Sequence, residues 1–142
     1  MRPFPKRGSV YVVRFDPTEG SEIKKTRPAV VVSEDAIGIL PLKVIVPLTD
    51  WKERYAVAPW LVRIEPDQEN HLDKVSAADA FQVRSVAHQW FVRRLGTLPD
   101  AIVQKIARAL AAVLRIELGT VAMTDVRMLA DTHTTRSPEH RH

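Results

Sequence analysis

The chain contains no cysteine. That excludes disulfides, thiolate metal sites and a cysteine nucleophile, and it fits a cytoplasmic protein. Long apolar runs are missing as well. No stretch approaches the ~18 uncharged residues that a membrane span needs. The opening MRPFPKR is followed by no apolar run, which argues against a signal peptide. No internal repeat is present. The one local gathering of acidic residues around a histidine, His71 with Asp67, Glu69 and Asp73, has no known ligand spacing, so neither a metal nor another cofactor is expected. What remains is a 142-residue chain of ordinary apolar content, the size of one domain and long enough to bury a core without a covalent staple.

The net charge of +4 is unevenly placed. Residues 1–33 carry Arg2, Lys6, Arg7, Arg14, Lys24, Lys25 and Arg27 against Asp16, Glu19 and Glu22, seven minus three, so the rest of the chain sums to zero. A basic segment concentrated on a small domain suggests a polyanionic partner, although a solvated charged face gives the same count.

Short runs rich in β-branched and aromatic residues predict strands at Val10–Phe15, Ala29–Ser33, Lys43–Thr49, Trp60–Glu65, Ala80–Val86 and Phe91–Gly96. Pro28 is expected at the first position of the second strand, and Pro47 predicts an edge or a bulge in the third. The period then changes. Ile102, Val103, Ile106, Ala107, Leu110, Val113, Leu114 and Leu118 form a helical stripe. Thr97-Leu98-Pro99-Asp100 has the form of a capping box, and Gly119 that of a C-cap. The fold class is mainly β with a C-terminal helix, and many short strands point to a small barrel. Residues 1–118 are taken as one domain and 119–142 as an extension whose end has a disordered composition.

The order of motifs is specific where no single motif is. Arg7-Gly8-Ser9-Val10-Tyr11, Asp16-Pro17-Thr18-Glu19-Gly20-Ser21-Glu22, Lys24-Lys25-Thr26-Arg27-Pro28-Ala29 to Ser33 and Val44-Ile45-Val46-Pro47-Leu48-Thr49 follow one another, with a later stretch from Leu72 to Val86. This succession resembles the MazF/PemK toxin family over about residues 6–118. The resemblance implies an SH3-like β-barrel, usually a homodimer, that cleaves single-stranded RNA sequence-selectively and is held in check by an antitoxin. It implies a cytoplasmic protein with no membrane partner. The same fold hosts gyrase poisons of the CcdB kind, which do no chemistry, and a catalytically silent antitoxin-binding module is a third reading.

If the second and third strands form an antiparallel hairpin without a bulge, Ser33 lies opposite Lys43 and Arg27 opposite Thr49, at the end away from the connecting loop. The segment carrying Ser21, Glu22, Lys24 and Lys25 enters at the same end. Such a set suits RNA transesterification. Arg27 offers a fork of donors to the phosphoryl oxygens, and Thr49 adds a neutral donor. Arg27 is too basic to be an ordinary general base, so Glu22 is the nearest base candidate. Trp51 is a candidate for stacking on a base, with Ser21, Lys24, Lys25, Gln82 and Arg84 along the RNA. Each has a plainer role: Arg27 as a solvated loop residue, Thr49 as a turn hydroxyl, Glu22 as a surface partner of Lys24 or Lys25, and Gln82 and Arg84 in a dimer contact. Trp60 and Trp90 are read as core or dimer residues, and His88 as structural or exposed. No histidine matches a catalytic position of the family. An antitoxin with an acidic tail is the expected protein partner.

Overall fold

The computed structural model describes residues 4–15, 26–37 and 40–117. Seven strands precede one helix: β1 Ser9–Arg14, β2 Thr26–Val31, β3 Leu42–Asp50, β4 Leu61–Ile64, β5 Ser76–Asp79, β6 Arg84–Ala87, β7 Phe91–Thr97 and α1 Asp100–Leu114. All pairings are antiparallel, in the order β4-β5-β3-β2-β1-β7, with β6 also on β3. Among the described residues no ladder joins β7 to β4, so the sheet is not closed by backbone pairing.

The organising strand is β3, which changes partners along its length. Its first half pairs with β6 from Leu42↔Ala87 to Ile45↔Arg84. Its last residues pair with β5 from Leu48↔Ala78 to Asp50↔Ser76. Its other edge holds β2 at Val31↔Ile45, Val30↔Val46 and Ala29↔Pro47. Two prolines mark the changeover. Pro47 falls between the last partner on β6 and the first on β5, where a missing N–H breaks no ladder bond. The β2–β3 register runs through it unbroken, so the bulge considered there is absent. Pro28 is the third residue of β2 rather than its first. Its N–H would face β3, as Val32 does in donating to Val44 O at 2.9 Å, but the β2–β3 ladder ends at Ala29↔Pro47, so no ladder bond is lost.

Three further expectations are corrected. Residues 80–82 form a 3-10 turn, and the strand begins only at Arg84. Asp79 Oδ1 accepts the N–H of Phe81 and sets that turn. The unforeseen strand β5 carries Ala77 and Ala78, both fully buried, and small residues fit where a strand lies between two others. No capping box forms: Thr97 Oγ1 donates to Gly8 O at 3.3 Å, and the helix is preceded by Pro99, which makes no side-chain cap. The helix ends at Leu114 with Arg115 left-handed at φ 60, ψ 40, not at Gly119, which lies outside the described residues, as does all of 119–142.

Strand alternation sends side chains to two cores. Val10, Val30, Val46 and Leu48 face Val103 and Ile106 of α1. Val13, Ala29, Val31, Ile45, Val86 and Phe91 form a second cluster on the opposite face. His88 borders the second cluster, 4.2 Å from the Phe4 ring, with its Nε2 buried and without a hydrogen-bond partner. Burial, and then the positive charge of Lys43, hold its pKa below the ordinary histidine value. The unfolded chain therefore takes up this proton more readily than the folded one. Stability should be full above about pH 6.5 and decline as pH falls below it. Urea midpoints of the wild type and of His88→Phe at pH 7.5 and 5.5 test this. The wild type should lose more on acidification, and equal losses would count against the assignment.

Candidate active site

Arg27 is exposed on β2 and stands opposite Val13 of β1. The hairpin register keeps the spacing that Ser33 opposite Lys43 requires, and the same count carries Arg27 to the level of Thr49, two residues past the last β2–β3 pair. Alternation adds a second relation. Ala29, Val31 and Ile45 belong to the second cluster, so Arg27 is on that face of β2. Thr49 alternates with Leu48, which belongs to the helix-side core, and so turns to the same face as Ile45. Arg84 is the cross-strand partner of Ile45 and shares the face too. Its guanidinium lies 5.5 Å from the centre of the Phe15 ring, with Nη1 3.5 Å from Phe15 O. Arg27, Thr49 and Arg84 thus lie on one sheet face, on three strands, with Arg84 opposite Ile45, four residues before Thr49 on β3.

Thr49 is half-buried and lines a cavity of about 350 Å³ with Arg54, Tyr55, Trp60 and Asp79. Trp51 stands just beyond β3. Its Nε1 donates to Glu53 Oε2 at 3.2 Å, Tyr55 meets it edge-on at 5.8 Å, and Arg63 lies 5.3 Å from its ring centre. The indole is therefore held, with one neighbour already a cation. Gln82 is exposed at the end of the 3-10 turn. Ser21, Glu22, Lys24 and Lys25 lie outside the described residues.

A second concavity, about 510 Å³, borders Pro28 and Val12 and carries His71, Arg93 and Arg94. His71 is left-handed at φ 54, and its Nδ1 lies 2.7 Å from Leu95 O, so this nitrogen carries the proton and donates. The pair of arginines on β7 extends the basic surface past the N-terminal segment in which charge counting found it. Neither they nor Arg54, Tyr55 and Asp79 were marked by sequence motifs, since only the folding of β5, β7 and the 53–57 turn onto β3 and β1 gives them neighbours. Among the described residues no group of three or more histidine, aspartate or glutamate side chains gathers to hold a metal.

A family model described as the PemK-like, MazF-like toxin of type II toxin–antitoxin systems matches residues 6–114. The chain belongs to this family. Endoribonuclease MazF9 of Mycobacterium tuberculosis is 31% identical over 111 residues, covering 74% of this chain and 92% of that protein. A mycobacterial endoribonuclease solved in complex with its cognate antitoxin superposes with a TM-score of 0.62 at 25% identity, covering 81% of this chain and 99% of the other. The MazE–MazF complex of Deinococcus radiodurans (Form-II) superposes with a TM-score of 0.65 at 22% identity, over 82% and 100% of the two chains, and supports the fold. The resemblance drawn from motif order is thereby borne out, and the protein is a MazF-like toxin. No helix among its described residues is long and apolar enough to cross a membrane.

Proposed function

We propose that this MazF-like toxin is a metal-independent, sequence-selective endoribonuclease of single-stranded RNA, acting at Arg27 and Thr49. What supports the reading is the β2–β3 register: counted two residues past Ala29↔Pro47, it puts an exposed guanidinium and a half-buried hydroxyl at one level on one sheet face. In the reaction the ribose 2′-oxygen attacks the adjacent phosphorus and loses its proton to a base, for which Glu22 is the candidate. Arg27 donates two hydrogen bonds to the non-bridging oxygens as charge builds on them, and Thr49 donates a third. The bond from phosphorus to the 5′-oxygen breaks, and that oxygen takes up a proton. A 2′,3′-cyclic phosphate and a 5′-hydroxyl result.

Around this centre Lys24, Lys25 and Arg84 meet phosphates, and Ser21, Gln82 and Trp51 meet sugar or base. The strand set is read as an SH3-like barrel left open at one seam, with residues 1–118 as one toxin domain and 119–142 as its extension. The toxin works in the cytoplasm, where its RNA is. It acts as a homodimer, with RNA along the interface, for which exposed Leu40, Leu42 and Val44 are suited contacts. Its antitoxin is a chain with an acidic tail that competes for the basic surface. The antitoxin complexes of the structural neighbours support such a partner.

The purified protein should cut a long single-stranded RNA in excess EDTA at the rate seen with Mg²⁺. The 3′ fragments should accept phosphate from polynucleotide kinase without prior dephosphorylation. A strict Mg²⁺ requirement, or 5′-phosphate products, would overturn the mechanism.

A further inference from the structure

The cavity beside Thr49 is larger than the transfer of a phosphoryl group needs. Its volume, about 350 Å³, lies at the small end of the range for ligand pockets, roughly 300–1,000 Å³. Two of its lining rings each pack on a neighbouring ring. The Tyr55 ring meets Trp51 edge-on at 5.8 Å, and Trp60 meets Phe81 edge-on at 5.9 Å. Asp79 is half-buried, and its Oδ1 accepts the Phe81 N–H at 3.1 Å, which pins the carboxylate. Arg54 rests over Tyr55 at 5.4 Å. Among the described residues, neither Asp79 nor Arg54 is in an ion pair. A cavity between two aromatic rings therefore presents one carboxylate and one guanidinium whose hydrogen-bonding capacity is largely unspent.

We infer that this cavity receives one unstacked guanine of the RNA, next to the bond cleaved at Thr49. The inference rests on the nuclease reading above and adds a source of sequence selectivity. Aromatic rings stack on any base, so they supply affinity without choice. The choice falls to Asp79 and Arg54. Guanine alone among the four bases offers two adjacent donors, the ring N1–H and the 2-amino group, which a carboxylate accepts as a pair, and it keeps O6 and N7 as acceptors for a guanidinium. Cytosine and adenine offer the carboxylate only an amino group. Uracil would set a carbonyl oxygen against it.

Asp79→Asn tests the assignment, because the amide oxygen still accepts the Phe81 N–H while one acceptor becomes a donor. Wild type and variant are given a randomised single-stranded RNA, and the new 5′ ends are sequenced. The wild type should require guanine at one fixed position beside the cut. The variant should lose that preference by about 10- to 100-fold, the worth of one bidentate base contact. A second readout needs no cleavage. Guanosine monophosphate should quench tryptophan fluorescence saturably and uridine monophosphate should not. Asp79→Asn should remove the guanosine effect, and Trp60→Phe should remove the signal.

A cleaved motif without guanine, or an unchanged motif in Asp79→Asn, overturns the inference. An unchanged motif together with weaker capture of an acidic antitoxin peptide would make the cavity a peptide pocket and overturn it equally. If no RNA is cut, the nuclease reading fails. Guanosine-specific quenching lost in Asp79→Asn would then still establish the cavity as a guanine site, and its absence would dismiss it.

Discussion

Arg27→Ala is expected to slow cleavage of single-stranded RNA at least about a thousandfold, since loss of a single donor to a developing oxyanion typically costs roughly a hundred- to a thousandfold and Arg27 supplies two donors with a charge. The fold should survive, because Arg27 is exposed and no hydrogen bond of its side chain supports the sheet among the described residues. Arg27→Lys keeps the charge and loses the fork, so its rate should fall between the two. Thr49→Val keeps the shape and removes only the hydroxyl, with an expected loss of about a hundredfold. Single-turnover cleavage of a labelled RNA, beside a thermal melt of each variant, separates chemistry from folding. A wild-type rate in Arg27→Ala would return Arg27 to a solvated strand-end residue and leave the mechanism without its principal donor.

The largest expected effect on stability comes from a glycine far from the site. A Cβ on Gly96 of β7 would stand 1.9 Å from Glu69 O, 2.9 Å from Asn70 Cα and 3.0 Å from Asn70 C. All three are backbone atoms of the loop between β4 and β5, and that loop has little freedom to withdraw. Thr97 N donates to Glu69 O at 2.9 Å. Asn70 is buried, its Oδ1 accepting the N–H groups of Asp67 and Leu72 and its Nδ2 donating to Glu65 O. Asp67 Oδ1 accepts the N–H groups of Glu69 and Asn70 in turn. Gly96→Ala must then break this network or bend β7. A loss of about 3 kcal/mol or more is expected, the upper range for overpacking, which for a domain of this size lowers the melting temperature by roughly 10 °C. A loss under about 1 kcal/mol by urea denaturation would show that the loop lifts off freely.

The legible parts of the fold have a common cause. β1, β2, β3, β4 and β7 were readable because runs of β-branched and aromatic residues mark strands, with β2 and the middle of β3 buried on both faces, and the helix because its apolar residues recur with a period of 3.6. β5 left no such trace. Ser76-Ala77-Ala78-Asp79 has weak β-propensity, and its alanines are buried because β3 and β4 flank it, a fact of packing. The capping box failed for a related reason: Thr97 is the last residue of β7, its Oγ1 donating to Gly8 O, 89 residues away, and the helix starts only after Pro99.

The candidate site divides in the same way. The sequence by itself determined the family, through the order of its motifs, and the register of the β2–β3 hairpin from Val31↔Ile45 to Ala29↔Pro47, because a hairpin whose connection is local fixes its register by counting. Only the tertiary structure decided that β3 passes from β6 to β5 at Pro47, that Arg84 shares the face of Arg27, and that Thr49 opens onto a cavity holding Arg54, Trp60 and Asp79. Those neighbours lie up to 30 positions from Thr49 in the chain, on a turn and a strand with no periodic signature. Packing of distant segments, which no local pattern encodes, brought them together.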